Sequence, residues 1–294
     1  MPLTDPLEPR NAVSATLHHA ASVSAASTLN TVLVSLVRVG YAVRGVIYML
    51  AGVLALRMAL GRSSQEVSPT ASIELIGHEP YGRTLLIGVV VGLAGYALWG
   101  MIRAVFDPLH KGRSPHALAQ RIGYAISAVA YMGLLAATIR YATGPESHMG
   151  RPFDWTAALL AKPAGAWIVA IVGVGWIVGA GLVQMVSGWR GTFEADLAIE
   201  RMNRSERRLA NRLGRFGIVA RGAVFTVIGV LMVAAALHAG PRAGAGMGGA
   251  LLEILRQPFG RTLLAAAAAG LIAFGAFSVL CARWMRIQPV ASSW

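Results

Sequence analysis

Charged residues are scarce in this chain of 294 residues: Asp, Glu, Lys and Arg together make up 13% of it, while 55% is hydrophobic. An average soluble domain carries about 25% charged residues, so this chain lacks about half of the usual polar coat. The mean hydropathy of +0.59 agrees with that deficit, and disordered chains are poor in apolar residues. The composition therefore excludes a soluble globular protein and a disordered one, and it predicts an integral membrane protein.

Cysteine and lysine are nearly absent too. The single cysteine, Cys281, excludes an internal disulfide and a cysteine-based metal site. Only Lys111 and Lys162 are lysines, so arginine supplies all but two of the 26 basic residues and most of the net charge of +13. These arginines fall mainly between apolar runs, where basic residues orient helices and meet anionic lipid. We predict anionic membrane lipids as partners, and no nucleic acid.

Six apolar segments are long enough to cross a hydrocarbon core of about 30 Å as helices of about 20 residues. They cover residues 38–60, 84–102, 122–139, 163–189, 222–241 and 262–282. Each must be helical, because a lone strand would leave backbone groups unpaired in lipid. The sequence therefore predicts an all-α integral membrane protein with six transmembrane helices.

Basic residues near the helix ends are unevenly shared between the two sides of the membrane. With six spans, both termini lie on the same side of the membrane. Fifteen of these basic residues lie on that side, and nine lie on the other. Cytoplasmic loops carry an excess of Lys and Arg, so we predict that both termini are cytoplasmic. Residues 1–35 lack the pattern of a cleaved signal peptide and are predicted to form a mobile cytosolic tail, and residues 287–294 a C-terminal tail.

The apolar segments repeat in pairs. The motif Arg-x-Gly-x-x-x-Arg-Gly opens the first segment at residue 38 and the fifth at residue 215, and its first half opens the third at residue 121. The motif Pro-[Tyr/Phe]-Gly-Arg-Thr-Leu-Leu begins at Pro80 and again at Pro258. Matched motifs at matched offsets define helix-pair repeats at residues 36–110, 118–190 and 213–286.

Each repeat crosses the membrane twice, so all three copies point the same way. The predicted fold is three tandem, parallel-oriented helical hairpins in a pseudo-threefold bundle about an axis along the membrane normal. A short segment with apolar residues in helical spacing, such as Ile73 and Ile76, precedes the second helix of each pair. We expect it to lie on the outer membrane surface.

These motifs resemble the bacterial domain-of-unknown-function family numbered 1206. The resemblance covers about residues 36–286, and it is most specific in the first and third repeats. It implies a transmembrane helix pair present three times, and it implies no activity. With the charge asymmetry, it leads us to expect a multi-pass protein of the bacterial inner membrane.

Two arginines recur at matching positions of the first and third repeats, one inside the first apolar segment and one directly before the fifth. Arg44 and Arg221 each follow the opening Arg of the motif by six residues, which is about 9 Å along a helix. Arg near the bilayer centre costs on the order of 2.5–3.5 kcal/mol on insertion scales. Two interpretations stay open: the side chains face the bundle interior and bind an anion or a lipid headgroup, or they snorkel to lipid phosphates.

Arg83 and Arg261 lie near helix N-termini, where the macrodipole disfavours a cation. Lipid phosphate is the partner that we expect, with a carboxylate such as Glu79 or Glu253, or a functional anion site, as the alternatives. Residues 191–212 mix acidic residues with several arginines and are predicted to form a basic cytosolic connecting helix with i,i+4 pairs. This segment is also a candidate docking site for another protein.

The six apolar segments contain no Asp or Glu, so the carboxylate relay of proton-coupled pumps is missing. The chain also lacks a nucleophile–base pair, a Walker loop and a dinucleotide fingerprint, and we predict no enzyme, cofactor or metal. The leading hypothesis is a non-catalytic membrane scaffold or lipid-associated protein. The alternative is a passive channel or carrier for a small solute or anion through the bundle centre, which polar residues along the axis would favour. The oligomeric state stays open.

Overall fold

The computed structural model describes residues 8–62, 67–106, 115–144, 159–162, 164–237 and 247–286. Six of its helices are long and apolar enough to cross a membrane. We number them span 1 (Thr31–Ala59), span 2 (Gly82–Phe106), span 3 (Gln120–Thr143), span 4 (Gly165–Arg190), span 5 (Arg204–Leu237) and span 6 (Gly260–Trp284). The prediction of an all-α, six-span membrane protein is confirmed.

Some spans belong to longer or interrupted helices. Span 1 ends a helix that covers Glu8–Ala59, and span 3 ends one that covers Pro115–Thr143. Span 4 is α-helical over Gly165–Gly175 and Val183–Arg190, and π-helical over Trp176–Leu182 between them. Two short helices, Pro69–Gly77 and Met247–Arg256, precede spans 2 and 6, where the sequence predicts surface segments.

The spans form a ring in chain order. Span 2 packs along span 3, span 4 along span 5, and span 6 along span 1, so each hairpin contacts the next one through the same pair of positions. This is the pseudo-threefold arrangement of three parallel-oriented hairpins that the repeats predict. The hairpins differ inside, because spans 1 and 2 pack closely, as do spans 5 and 6, while spans 3 and 4 touch mainly at the π-helical turns.

Glycines explain the close packing of the first and third hairpins. A Cβ atom added at Gly40 would lie 2.8 Å from the carbonyl oxygen of Gly92, and one at Gly217 would lie 2.4 Å from a backbone nitrogen of span 6. Small residues let helix backbones approach in this way. In the middle hairpin, Gly123 and Gly175 stand at the positions that match Gly40 and Gly92, yet an added Cβ would meet nothing within 4 Å.

The outer surface of the ring suits lipid. Large apolar side chains are exposed along every span, and Trp167 and Trp189 at the two ends of span 4 are 76% and 77% exposed. Their separation along the helix is about 30 Å, which matches the thickness of a hydrocarbon core. Exposed aromatic rings at that spacing are typical of the two membrane–water interfaces.

Most of the N-terminal region predicted as a tail is helical. Residues 8–35 continue the helix of span 1 as one element, Glu8–Ala59. No Gly or Pro occurs between Pro9 and Gly40, so nothing interrupts helical hydrogen bonding over that stretch. The cytosolic position and mobility of this region stay predictions, while residues 1–7 and 287–294 lie outside the described residues.

Residues 191–212 also differ from the predicted connecting helix. Gly191 has a φ of +74° and ends span 4, and two short 3-10 turns, Thr192–Asp196 and Ile199–Arg201, follow it. The helix of span 5 then begins at Arg204. Its start is fixed by a capping box, in which the Asn203 N–H donates to Glu206 Oε2 (3.0 Å) and the Glu206 N–H donates to Asn203 Oδ1 (2.8 Å).

Candidate functional site

Arg44 and Arg221 both point into the bundle. Their residues are 7% and 8% exposed, so neither guanidinium reaches a headgroup layer outside the ring. Of the two interpretations that the sequence leaves open, the structure therefore shows the inward orientation. Each arginine comes from the inner face of the first helix of a hairpin, at matching positions of the first and third repeats.

Arg44 lies between spans 2 and 6. Its Nε and Nη2 atoms donate to the Ser278 hydroxyl at 3.2 and 2.9 Å, and its Nη1 atom donates to the Tyr96 hydroxyl. The guanidinium carbon is 5.1 Å from the centroid of the Tyr41 ring, 4.6 Å from Tyr96 and 4.8 Å from Phe274. Neutral hydroxyls and aromatic rings thus surround this charge, and both kinds of contact are attractive to a cation.

Arg221 has a similar set of neighbours. Its Nε atom donates to the Tyr48 hydroxyl at 3.0 Å, and its Nη1 atom donates to the side-chain oxygen of Gln184. Its guanidinium carbon is 4.1 Å from the ring centroid of Phe225 and 4.8 Å from that of Phe274. Both arginines therefore contact the same Phe274 ring. Because each guanidinium carbon is 4.8 Å from its centroid, the two carbons are at most about 9.6 Å apart.

The π-helical part of span 4 positions Gln184. Its side-chain nitrogen donates to the backbone oxygen of Ala180, one turn earlier in the π-helical segment Trp176–Leu182. That bond leaves the amide oxygen of Gln184 for Arg221. Short π-helical stretches occur frequently at functional sites, because they re-aim side chains without ending the helix.

No carboxylate compensates these two charges within the part of the chain that the structure describes. Ion pairs there include those that join Arg103 to Asp196, Arg256 to Glu253, and Arg286 to Glu200. A guanidinium has five N–H donors, of which described residues accept three from Arg44 and two from Arg221. The cluster thus carries two positive charges and spare donors.

Tyr131 of span 3 completes the cluster. Its ring centroid is 4.5 Å from that of Tyr96, whose hydroxyl accepts a hydrogen bond from Arg44. The residue is only 7% exposed, and its buried hydroxyl has no hydrogen-bond partner among the described residues. A buried hydroxyl without a partner is uncommon and calls for an explanation. We name Arg44, Arg221, Tyr48, Tyr96, Tyr131, Gln184, Phe274 and Ser278 the arginine cluster.

An ion pair closes the bundle at the end where span 6 terminates, which we call the terminal face. Arg103 of span 2 donates from Nη2 to Asp196 Oδ2 and to the Tyr124 hydroxyl, both at 2.5 Å. Its Nη1 atom donates to the Tyr41 hydroxyl at 3.4 Å. Tyr41 also contacts Arg44, so this ion pair lies next to the arginine cluster, on the side of the terminal face.

The loop after span 4 is fastened over the same end. Leu197 and Met285 form an isolated antiparallel bridge, and the N–H of Ala198 donates to the Trp284 carbonyl oxygen at 2.9 Å. The Phe193 ring packs against the Phe277 ring of span 6, with 5.1 Å between the ring centroids. Beside it, the pKa of exposed Glu200 is lowered by a backbone hydrogen bond and by the Arg286 guanidinium.

The interior on the other side of the cluster is apolar. Buried side chains fill it: Leu54, Met58, Leu93, Met232 and Leu264. Ile73 and Leu251, from the two short helices, are fully buried over this end. The opposite faces are more open, since Leu75 and Leu252 are exposed, so both segments are half-buried helices over this end of the bundle. The arginine cluster is enclosed between this apolar packing and the terminal face.

Arg83 and Arg261 are not part of the cluster. Both are exposed, at the starts of spans 2 and 6. Glu253, a candidate partner for Arg261, instead lies 3.7 Å from Arg256 and accepts a hydrogen bond from the Gln257 side chain at 3.1 Å. Anionic lipid as the partner of Arg83 and Arg261 stays a prediction.

Most of the aromatic part of the cluster is not among the residues predicted from the sequence, although the repeats contain a signal for it. Tyr48, Tyr131 and Phe225 each lie ten residues after the arginine that opens their repeat, and Tyr96 and Phe274 also occupy matching positions. Aligning the repeats therefore marks an aromatic layer one turn below Arg44 and Arg221. Among the described residues, no group of three His, Cys, Asp or Glu side chains could hold a metal ion.

Comparison with known proteins places this architecture in a family. The "Uncharacterized protein YxxB" of Bacillus subtilis (strain 168) is 32% identical over 243 residues, which cover 83% of this chain and 88% of that protein. No solved structure matches the chain. The family described as "Domain of Unknown Function (DUF1206)" matches residues 39–107, 122–191 and 216–285, one match for each hairpin. The chain is therefore a multi-pass membrane protein that belongs to the DUF1206 family, with three copies of its helix pair.

Proposed function

We propose that this protein binds an anionic group inside its membrane bundle, at the arginine cluster. Arg44 and Arg221 carry the proposal, because they are buried beside one Phe274 ring without a carboxylate partner among the described residues. Buried charges that lack a counter-ion are strongly unfavourable. An anion relieves that cost, and the planar guanidinium fork suits a carboxylate or a phosphate.

The remaining hydrogen-bond capacity supports the same conclusion. Both arginines retain N–H donors beyond those that described residues accept, and the Tyr131 side chain, which packs on Tyr96, has a buried hydroxyl that is a further donor. Low dielectric strengthens such hydrogen bonds. These polar groups form one layer of the bundle interior, between apolar packing and the terminal face, which supports a binding site inside the bundle rather than an open path along its axis. The proposal places the protein, with both termini cytoplasmic, in the inner membrane.

A purely structural role is the second candidate. It is favoured by the neutral partners of the arginines, since Ser278, Tyr96, Tyr48 and Gln184 already accept hydrogen bonds from them. In that case Arg44 holds spans 1, 2 and 6 together, Arg221 holds spans 5, 1 and 4 together, and added anions leave the protein unchanged.

Ligand-dependent thermal stability separates the two candidates. Purified protein in neutral detergent is heated with chloride, sulfate, inorganic phosphate, acetate or octanoate, each at several concentrations. A ligand that binds only the folded state raises Tm with concentration by mass action. We expect at least one anion to do so for the wild type and to lose that effect in the Arg44→Gln/Arg221→Gln variant.

The exposed pair provides the matched control. The Arg83→Gln/Arg261→Gln variant loses the same number of charges but keeps the arginine cluster, so its Tm shift should equal that of the wild type. Equal shifts in the wild type and in the Arg44→Gln/Arg221→Gln variant, or no shift with any anion, would leave the scaffold as the function. Size-exclusion profiles check that every variant is folded.

A further inference from the structure

The middle hairpin leaves a groove in the side of the bundle. Only 17% of the hydrophobic window of span 3, and of span 4, is buried, against at least half in spans 1, 5 and 6. Spans 3 and 4 touch mainly near the π-helical segment Trp176–Leu182, whereas the other two hairpins pack along their length. The groove between spans 3 and 4 therefore faces the lipid.

The walls of this groove contain the same glycines that allow close helix contact in the other hairpins. Gly123 and Gly175 match Gly40 and Gly92 of the first hairpin, where the two helices are in contact. Gly179 matches Tyr96, and an added Cβ at Gly123, Gly175 or Gly179 would meet nothing within 4 Å. The groove is thus lined by small residues and is open at the positions where its counterparts are filled.

The inner end of the groove is the arginine cluster. Tyr131 of span 3 packs on Tyr96 beside Arg44, and Gln184 of span 4 accepts a hydrogen bond from Arg221, so each wall contributes a polar side chain to the arginine cluster. The Tyr131 hydroxyl is buried and has no partner in the described part of the chain. This independent observation indicates a polar ligand atom where the groove meets the two arginines.

The ends of the bundle offer a poorer route. The Arg103–Asp196 ion pair and the bridge between Leu197 and Met285 close the terminal face, and apolar side chains fill the opposite end. A hydrated ion cannot cross the lipid that faces the groove, because transfer of an isolated charge into an apolar medium is very costly. An anion attached to a hydrocarbon chain can enter from the bilayer.

We propose that the ligand is a single-chain amphiphile with an anionic head, such as a long-chain carboxylate. Its head lies at Arg44, Arg221 and Tyr131, and its chain lies in the groove between spans 3 and 4. This inference rests on the proposed function, since it names the ligand class of the same site. The apolar, glycine-lined walls suit a hydrocarbon chain, and the two uncompensated charges suit the head.

Photolabelling in vesicles tests the proposal. Wild-type protein in phosphatidylcholine vesicles is illuminated with stearic acid that carries a diazirine on its chain, and the labelled peptides are identified by mass spectrometry. We expect labels in spans 3 and 4 that oleate displaces and acetate does not. The neutral diazirine-bearing stearyl alcohol should give no displaceable labelling there.

A gap-filling variant tests the groove apart from the charges. Gly123→Leu/Gly175→Leu places side chains in open space, so it should fold while blocking the chain. Labelling of spans 3 and 4 should fall by about tenfold, as should labelling in the Arg44→Gln/Arg221→Gln variant, which loses charge-assisted hydrogen bonds to the head. Gly88→Leu is the matched control, because Gly88 is exposed on span 2 with open space around it, and its labelling should match the wild type.

The outcomes distinguish this proposal from the function on which it rests. If labelling is lost in the Arg44→Gln/Arg221→Gln variant but not in the Gly123→Leu/Gly175→Leu variant, the anion site is supported and the groove is not the binding site of the chain. If displaceable labelling is unchanged in the Arg44→Gln/Arg221→Gln variant, the proposal that an anionic head binds the arginines is wrong. The Tm measurements with water-soluble anions test the anion site separately. A gap-filled variant that fails by size-exclusion profile or Tm is replaced by Gly175→Leu alone, which carries the same expectation.

Discussion

Arg103 and Asp196 are 93 residues apart in the sequence, and they join span 2 to the loop after span 4 through a 2.5 Å ion pair. Their side chains are 8% and 13% exposed, so the pair lies inside the closure of the terminal face. Arg103 also bonds Tyr124 and Tyr41. One guanidinium thus connects the first hairpin, the middle hairpin and the loop above the arginine cluster.

A double-mutant cycle should show strong coupling in this pair. Breaking a buried ion pair by removing one partner leaves an uncompensated charge. We expect Arg103→Ala and Asp196→Ala each to lower the free energy of unfolding, with a coupling energy of roughly 1–3 kcal/mol between them. Thermal unfolding of the purified variants measures it. The exposed Arg286–Glu200 pair is the control and should show much weaker coupling, and equal coupling in both pairs would contradict the buried closure.

Arg44 should not be replaceable by lysine. A lysine keeps the charge but cannot reproduce the planar fork that bonds Ser278 and Tyr96 and stacks on Phe274. We expect Arg44→Lys to lower the free energy of unfolding by about 1–3 kcal/mol. Arg57→Lys is the matched control, since Arg57 is exposed on the same helix, and it should have almost no effect. Equal tolerance of both substitutions would mean that Arg44 reaches the headgroup layer.

Glycine substitutions should distinguish the closed hairpins from the open one. Gly40→Ala places a methyl group 2.7 Å from a backbone nitrogen of Tyr96, and overpacking of this kind costs about 1–3 kcal/mol. At the matching position Gly123 there is open space, and an alanine there should stabilise the helix by up to about 1 kcal/mol. Tm measurements on the two single variants check this opposite sign, and a loss at Gly123 as large as at Gly40 would mean that the middle hairpin is closed.

The predicted orientation in the membrane rests on the distribution of basic residues, fifteen on one side against nine on the other. We expect reporter fusions at residues 112 and 200 to report the cytoplasm and a fusion at residue 147 to report the outside. The reversed pattern would place the terminal face, with its Arg103–Asp196 pair, outside the cell.

The sequence was sufficient to predict the six spans and the three parallel hairpins, because hydrocarbon thickness and repeated motifs both leave marks in the order of residues. It identified Arg44 and Arg221 as well, since charges within or directly before apolar runs are conspicuous. The orientation of their side chains could not be predicted from the sequence. Arg44 contacts Ser278, which is 234 residues away, and no periodicity in the sequence indicates such a pairing. The open middle hairpin was hidden too, since Gly123 and Gly175 look the same in sequence as the glycines that close the other hairpins.

The affinity for octanoate tests the central claim, an anion site made by Arg44 and Arg221, most directly. Octanoate carries a carboxylate head on a short, water-soluble chain, and its Kd is measured by isothermal titration with the wild type and with the single variants Arg44→Gln and Arg221→Gln. The account predicts saturable binding by the wild type and a Kd about tenfold higher in each variant, the effect of losing a charge-assisted hydrogen bond. An unchanged Kd in both variants, or no binding by the folded wild-type protein, would contradict it.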